Sequence, residues 1–317
     1  MNITLVTPAP RGSRKGNRVT ALRWARLLRQ LRHRVAVRQE YRGERCDVLV
    51  ALHARRSAAA VEAYRAAHPD GPLIVALTGT DLYEDIHTAA AARRSLELAS
   101  RLVVLQSLAA EELPERLRGK VRVIYQSAEA PRAVPRRRTG VFEVCVLGHL
   151  RPVKDPFRTA LAIRALPPYS GVRVLQVGAA LSAEMAERAA AEMVRNPRYR
   201  WLGDLPRARA LRVLARCRLL VLTSRLEGGA NVVSEAIAAG VPVLSSHIAG
   251  SAGILGADYP GYFPVGDTAE LAALLGRAET DRRYYNSLKA WCLRLRPLVR
   301  PARERDSWRR LLRELRA

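Results

Sequence analysis

The sequence predicts an α/β protein built from two doubly wound domains, each a parallel sheet with helices on both faces. Three observations carry that expectation. Short apolar runs rich in Val, Leu and Ile alternate with amphipathic stretches along the whole 317-residue chain, the pattern of strands buried on both faces. The alternation breaks between Ser127 and Gly140, where Pro131, Pro135 and the run Arg136-Arg137-Arg138 read as an interdomain linker, with a long surface loop as the alternative. It then restarts with the same rhythm, and each half has the size of an ordinary domain.

The first half reads as strand Ile3–Thr7, helix Asn17–Leu31, strands Val35–Arg38 and Cys46–Leu52, helix Arg56–Ala67 and strand Leu73–Leu77. Helix Ile86–Leu98, strand Leu102–Leu105, helix Leu108–Leu117 and strand Val121–Ile124 complete it. The second half reads as strand Glu143–Leu147, helix Pro156–Leu166, strand Arg173–Val177, helix Ser182–Arg195, strand Tyr199–Leu202 and helix Arg207–Ala215. Strand Leu219–Leu222, helix Val232–Ala239 and strand Val243–Ser245 follow, then helices Ala269–Arg277, Asp281–Leu295 and Arg303–Leu315. The expected domains are 1–130 and 141–297. Pro297 and Pro301 fit a crossing of the last helix back to the first domain, so 298–317 is assigned there. Ligands of doubly wound sheets bind beyond the carboxyl ends of strands, and the motifs below stand at such ends.

A hydrophobic content of 49% supports well-filled cores. No segment approaches the 18 or so consecutive apolar residues of a membrane span. The chain enters a strand at Ile3 without a signal-peptide pattern, so a cytoplasmic protein with no stable membrane insertion is expected. Cys46, Cys145, Cys217 and Cys292 are scattered without metal-ligand spacing and fit a reducing compartment. The net charge of +25 raises a basic nucleic-acid-binding module as a reading from another class. Against it, lysine occurs only at 15, 120, 154 and 289. An Arg- and Ala-rich bias follows from GC-rich codons, and no aromatic interleaving of the single-strand-binding kind appears. No nucleic-acid partner is therefore expected, and the oligomeric state is left open.

The most informative stretch is Ser224-Arg225-Leu226-Glu227-Gly228-Gly229-Ala230-Asn231-Val232-Val233-Ser234-Glu235. It runs from a buried strand through a Gly-rich turn into a helix. A helix N-terminus behind glycines offers free N–H groups and a positive dipole end to an anion. Glu227 and Glu235 cannot bind phosphate beside it, but they accept hydrogen bonds from sugar hydroxyls. Phosphate and hydroxyls in one small space point to a nucleotide sugar; the alternative is a strand–turn–helix corner with two solvated glutamates. The turn Gly12-Ser13-Arg14-Lys15-Gly16-Asn17 after the first strand gathers donors for a second anion, with Arg18 and Arg23 as possible additions. It lacks the dinucleotide and Walker spacings. Its alternative is an exposed basic turn.

The Glu227–Glu235 stretch resembles the E-x7-E motif of retaining glycosyltransferases with the GT-B fold, two facing Rossmann-like domains. The resemblance implies that Glu227 sits by the donor sugar and Glu235 holds the ribose hydroxyls. The amides of Gly228, Gly229, Ala230, Asn231 and Val232 would then meet sugar and diphosphate. Gly148-His149-Leu150-Arg151-Pro152-Val153-Lys154 resembles the family's G-R-L-x-x-x-K element, whose cations clamp the leaving diphosphate. Lys154 matches; His149 stands where Arg is usual, and Arg151 is the candidate for the missing charge. Such a clamp does without a metal what a divalent ion does elsewhere. Gly203, in Trp201-Leu202-Gly203-Asp204, corresponds to a base-contacting position. Thr80 and Asp81, in Thr78-Gly79-Thr80-Asp81, correspond to a loop lining the cleft, where they would meet the acceptor or the donor sugar and are assigned to acceptor binding, with a helix cap as the equal alternative. Ala249–Gly253 reads as a flexible loop near the donor. His33, His53, His68, His87 and His247 show no ligand spacing, and most of them read as ordinary surface or edge residues.

Pro10–Arg26 within Thr4–Leu28, Gly148–Arg158 and Glu227–Asn231 also resemble the selenosugar synthases of bacterial selenoneine biosynthesis, over essentially the whole chain. That branch joins selenophosphate to the anomeric carbon of a UDP-sugar, usually UDP-N-acetylglucosamine. The resemblance implies catalytic roles for Lys154, Glu227, His149 and Arg151, selenophosphate on the Gly12–Asn17 turn, and no cofactor beyond the two substrates. An anionic nucleophile needs no general base, and none stands out in these motifs. A GT-B transferase with an ordinary sugar or lipid acceptor is the nearest alternative.

Overall fold

Val48–Leu52 is buried at all five positions, and its side chains alternate between two cores. Leu49 and Ala51 join Val61, Tyr64, Leu73 and Val75 on one face. Val48, Val50 and Leu52 join Ile3, Leu5, Trp24, Leu28 and Trp308 on the other. A strand covered on both faces has no polar side, which is why its sequence is a continuous apolar run. The computed structural model describes residues 1–316 and divides into two units. One comprises Met1–Ser127, Glu227–Gly229 and the chain from Pro301 onward; the other comprises Ala128–Leu226 and Ala230–Arg300.

The first unit is a six-stranded sheet of β1 (Asn2–Val6), β2 (Arg34–Arg38), β3 (Val48–Leu52), β4 (Leu73–Ala76), β5 (Arg101–Val104) and β6 (Val121–Val123). All neighbours pair in parallel, in the order β2-β1-β3-β4-β5-β6. The second unit contains β7 (Phe142–Leu147), β8 (Val172–Val177), β9 (Tyr199–Trp201), β10 (Leu219–Leu222), β11 (Val243–Ser246) and β12 (Tyr262–Phe263). These too are all parallel, in the order β12-β11-β10-β7-β8-β9. Among the described residues no helix is long and apolar enough to cross a membrane.

Three local expectations are corrected. The helix expected over Ile86–Leu98 is broken: a wide turn at Asp81–Asp85 leads into Ile86–Thr88, Ala89 is extended, and the helix proper is Ala90–Leu98. The helix expected over Leu108–Leu117 is a 3-10 turn at Ser107–Ala110 and a short helix at Glu115–Arg118. Pro114 sits between them, and the residue before a proline is pushed out of helical geometry. The loop expected at Ala249–Gly253 is a helix, Ala249–Leu255, with Gly250, Ser251, Ala252 and Gly253 all buried. Tertiary packing there overrides the low helix propensity of glycine.

The last helix, Pro301–Glu314, is fixed to the first unit by Trp308 and Glu304. The Trp24 and Trp308 rings meet edge to face with centroids 4.8 Å apart. Glu304 is 1% exposed. Its carboxylate lies 3.0 Å from Arg23 Nε, and it accepts hydrogen bonds from Trp24 Nε1 at 2.8 Å, the Ser127 amide at 2.8 Å and the Ser127 hydroxyl. A buried carboxylate is tolerable only when surrounded this way. Glu304→Ala leaves the Arg23 charge buried beside a void, and the expected loss is about 3–5 kcal/mol of stability. Urea unfolding measures it; an unchanged midpoint would show that the pair contributes nothing.

Candidate active site

The order of strands locates the crevice in each sheet. In the second unit the chain runs β7-β8-β9 toward one edge and then returns to place β10 on the other side of β7. The loops after β7 and β10 therefore diverge at the carboxyl ends of two adjacent strands, the place where doubly wound sheets bind ligands. Those loops carry Gly148–Lys154 and Ser224–Ala230. In the first unit the reversal lies between β1 and β3. The loops there are Thr7–Lys15 and the segment that begins at His53.

In the second unit the loop bearing Lys154 is clamped to the end of β10. Thr223 Oγ1 bonds to the carbonyls of Lys154 at 2.8 Å and Asp155 at 2.9 Å, and the Arg225 amide donates to the Val153 carbonyl at 2.8 Å. Pro152–Lys154 is a 3-10 turn ending at Asp155 with φ +42°. His149 is not directed as a spare cation: its Nδ1 accepts from the Ala179 amide at 3.1 Å, which fixes the ring against the loop after β8. Gly178 lies so close to Gly148 that an added Cβ would stand 2.1 Å from the Gly148 carbonyl oxygen. Arg151 is exposed and Lys154 half-buried. Gly203, at φ +67°, accepts from the Gly178 amide at 2.9 Å.

The helix expected from Val232 starts at Asn231 and runs to Ala239. Its N-cap residue, Ala230, has no side-chain acceptor to offer the first amides. Glu235 points into the unit, 4% exposed, with Oε1 2.6 Å from Arg207 Nη2. Nothing in the sequence singles out Arg207. The signal was available only as proline followed by a basic helix start, a common surface pattern.

Glu227, Gly228 and Gly229 group by their contacts with the first unit. An added Cβ on Gly228 would stand 2.5 Å from the Thr78 carbonyl carbon, and one on Gly229 would stand 2.6 Å from Leu105 Cβ. Both glycines are thus required by close approach. Burial, with smaller contributions from the Glu112 and then the Glu227 carboxylate, pushes the Tyr83 hydroxyl up to about 12.

The turn before helix Gly16–Gln30 is exposed at Gly12, Arg14, Lys15 and Gly16, with Ser13 and Asn17 half-buried. Gly12 has φ +85°, Ser13 Oγ accepts from the Lys15 amide at 3.1 Å, and Lys15 is the N-cap residue. Arg18 Nε is buried without a hydrogen-bond partner. Arg23 is no anion ligand, because Glu304 and Gln126 hold its guanidinium.

Two expectations near β4 need correction. Asp81 is fully buried, and its carboxylate accepts from the amides of Gly79 at 2.7 Å, Thr78 at 2.9 Å and Ala54 at 3.0 Å. It shapes the loop and is not available to a ligand; Thr80 is the accessible member of the pair. His53, read as an edge residue, is 3% exposed with φ +77°. Its Nδ1 accepts from the Arg56 amide at 3.3 Å, so neutral His53 donates from Nε2 to Thr80 Oγ1 at 3.2 Å. Its place directly after an apolar strand was the missed signal.

Gly228→Ala forces a methyl group into backbone. The expected cost is about 1–3 kcal/mol, read by thermal unfolding; an unshifted midpoint would remove the close-packing claim. Burial lowers the His53 pKa, against an opposing pull from Asp81. The unfolded chain then binds more protons than the folded one just below the ordinary His value of about 6.5. Wild-type stability should fall as pH drops through that window. His53→Asn, which tolerates positive φ, should flatten that slope in urea titrations at neutral and mildly acid pH. An unchanged slope would assign the titration elsewhere.

The family model for glycosyl transferases group 1 matches residues 127–290. Among curated proteins none matches this sequence. The chain is similar in structure to Anabaena Alr3699/HepE, solved in complex with UDP and glucose, at TM-score 0.78 and 17% identity, covering 99% of this chain and 100% of that one. It is likewise similar to the sucrose-phosphate synthase of Thermosynechococcus elongatus, at TM-score 0.77 and 15% identity, covering 99% and 98%. An Escherichia coli structure described as trehalose-6-phosphate bound with UDP-2-fluoro glucose gives TM-score 0.75 at 12% identity, covering 99% of each chain. At these identities the structural likeness is one of fold, and that fold is GT-B. With more than half its length matched by the family model, the chain belongs to the glycosyl transferases group 1 family.

Proposed function

We propose that the protein transfers a sugar from a UDP-sugar to selenophosphate, forming a carbon–selenium bond and releasing UDP. The observation that carries the donor half is the junction at the β7/β10 reversal. There Thr223 and Arg225 pin the Lys154 loop to the strand that leads into Glu227 and the helix start at Asn231. Solved structures of the same fold bind UDP with glucose or a UDP-fluorosugar, which supports a uridine diphosphate here. The acceptor half rests on the exposed basic turn Gly12–Asn17, the Arg18 Nε without a protein partner, and the sequence resemblance.

The chemistry follows from the residues. Glu235 accepts ribose hydroxyls beside Arg207, and Glu227 accepts donor-sugar hydroxyls. Lys154 and Arg151 face the diphosphate, while His149, engaged by the Ala179 amide, orients its loop. A selenium lone pair attacks the anomeric carbon, and the bond to the diphosphate oxygen breaks with its electron pair leaving on UDP. Lys154, Arg151 and the amides at Ala230–Val232 stabilise that charge as it develops. Selenophosphate arrives as an anion, so no proton is removed from it. The product keeps its P–Se bond, which water later cleaves to phosphate and the selenosugar. UDP-N-acetylglucosamine is the proposed donor.

The test combines protein, UDP-N-acetylglucosamine and selenophosphate, with mass spectrometry for UDP and a selenium-bearing sugar. Lys154→Ala and Glu227→Gln should each lower kcat by about 10²–10³. Replacing Arg14 and Lys15 by Ala should raise the selenophosphate KM more than the donor KM. Turnover with an alcohol acceptor and none with selenophosphate would leave a glycosyltransferase and remove the selenosugar reading. Salt-sensitive DNA binding without UDP binding would remove both.

A further inference from the structure

We propose that Gln126 is a positioning residue for the donor site, acting through the Gly229–Ala230 peptide. Gln126 is 4% exposed and bears on no candidate substrate contact of its own. Its Nε2 donates to the Gly229 carbonyl at 3.0 Å. Its Oε1 accepts from Arg23 Nη2 at 2.7 Å and from Thr20 Oγ1 at 3.3 Å. Arginine has only donors, so the amide cannot be turned over: the oxygen must face Arg23 and the nitrogen must face Gly229. Arg23 is itself fixed by Glu304, with Nε 3.0 Å from Oε2. The orientation of one side-chain amide is thus set by a buried ion pair that joins helix Gly16–Gln30 to the last helix.

The consequence lies in the next peptide. A trans peptide is a rigid plane whose C=O and N–H point in opposite directions. Holding the Gly229 carbonyl toward Gln126 therefore aims the Ala230 N–H away from it. Ala230 caps helix Asn231–Ala239, and its amide is among those the donor reading assigns to sugar and diphosphate. A glycine at 229 cannot fix its own peptide plane, since it populates φ of either sign. Leu105 closes one side of Gly229, as the 2.6 Å approach of a would-be Cβ shows, and Gln126 supplies the missing directional contact. Donors aimed in advance at developing charge are what make such a site effective.

This inference rests on the donor-site reading above, and the test separates the two. Gln126→Glu keeps size and the Arg23 contact but sets an acceptor against the Gly229 carbonyl. The expected result is a folded protein whose kcat/KM for the UDP-sugar falls by about 10²-fold, with the acceptor KM unchanged. A merely structural role would lower the unfolding midpoint without that selective loss. A folded Gln126→Glu protein with wild-type donor kinetics overturns the proposal and leaves the function intact. A wild-type protein that neither binds UDP nor releases it from a UDP-sugar sinks the donor reading, and the proposal with it. If the variant does not fold, crystals of the wild type with UDP decide. An Ala230 N–H on a diphosphate oxygen, with Gln126 still on the Gly229 carbonyl, supports positioning; a peptide turned the other way overturns it.

Discussion

Burial of a parallel sheet on both faces is the constraint from which the rest follows. Once β3, β4 and β10 are covered above and below, their side chains are buried, and chemistry is confined to the loops at strand ends. Within each sheet the reversal of strand order opens one such end, between β1 and β3 in the first unit and between β7 and β10 in the second. Arg14, Lys15, Arg151, Lys154 and Glu227 stand on loops at those ends, and Glu235 follows in the helix that the β10 loop opens. The sheets supply rigidity, and the loops are then pinned individually: Thr223 holds the Lys154 loop, Asp81 holds Thr78 and Gly79, and Gln126 holds Gly229.

Close backbone approach is the second recurring device. Gly178 against Gly148, Gly228 against Thr78 and Gly229 against Leu105 each leave no room for a Cβ. Bringing two loops within van der Waals contact of their main chains lets amides and carbonyls, which do not change with sequence, define the shape of the site. The glycines in these motifs are therefore explained by packing first. Any amide left facing outward is a by-product of that packing that a phosphate can use.

The strands and most helices were legible in the sequence because their periodicity is local, and the Glu227–Glu235 and Gly148–Lys154 motifs were legible because glycine and charge cluster at strand ends. What escaped was non-local. Glu304 and Gln126 are ordinary polar residues until the fold brings distant Arg23 to both and Ser127 to Glu304. Arg207 gains its meaning only from Glu235. Asp81 looked like a ligand because its loop sits at a strand end, yet burial spends its oxygens on three amides. The helix at Ala249–Leu255 was misread because two glycines lower propensity, while small size is what allows it to be buried.

The pairing of Trp24 with Trp308 also sets the order in which this protein can be finished during synthesis. Trp24 leaves the ribosome early; its ring partner follows only after the entire second unit has been translated. At about 5–20 residues per second, the nascent first unit waits on the order of tens of seconds with one face of its sheet lacking Trp308, Leu311 and Leu312. Arg23 spends the same interval without the carboxylate that balances it. The first unit therefore completes its core only when the last helix arrives.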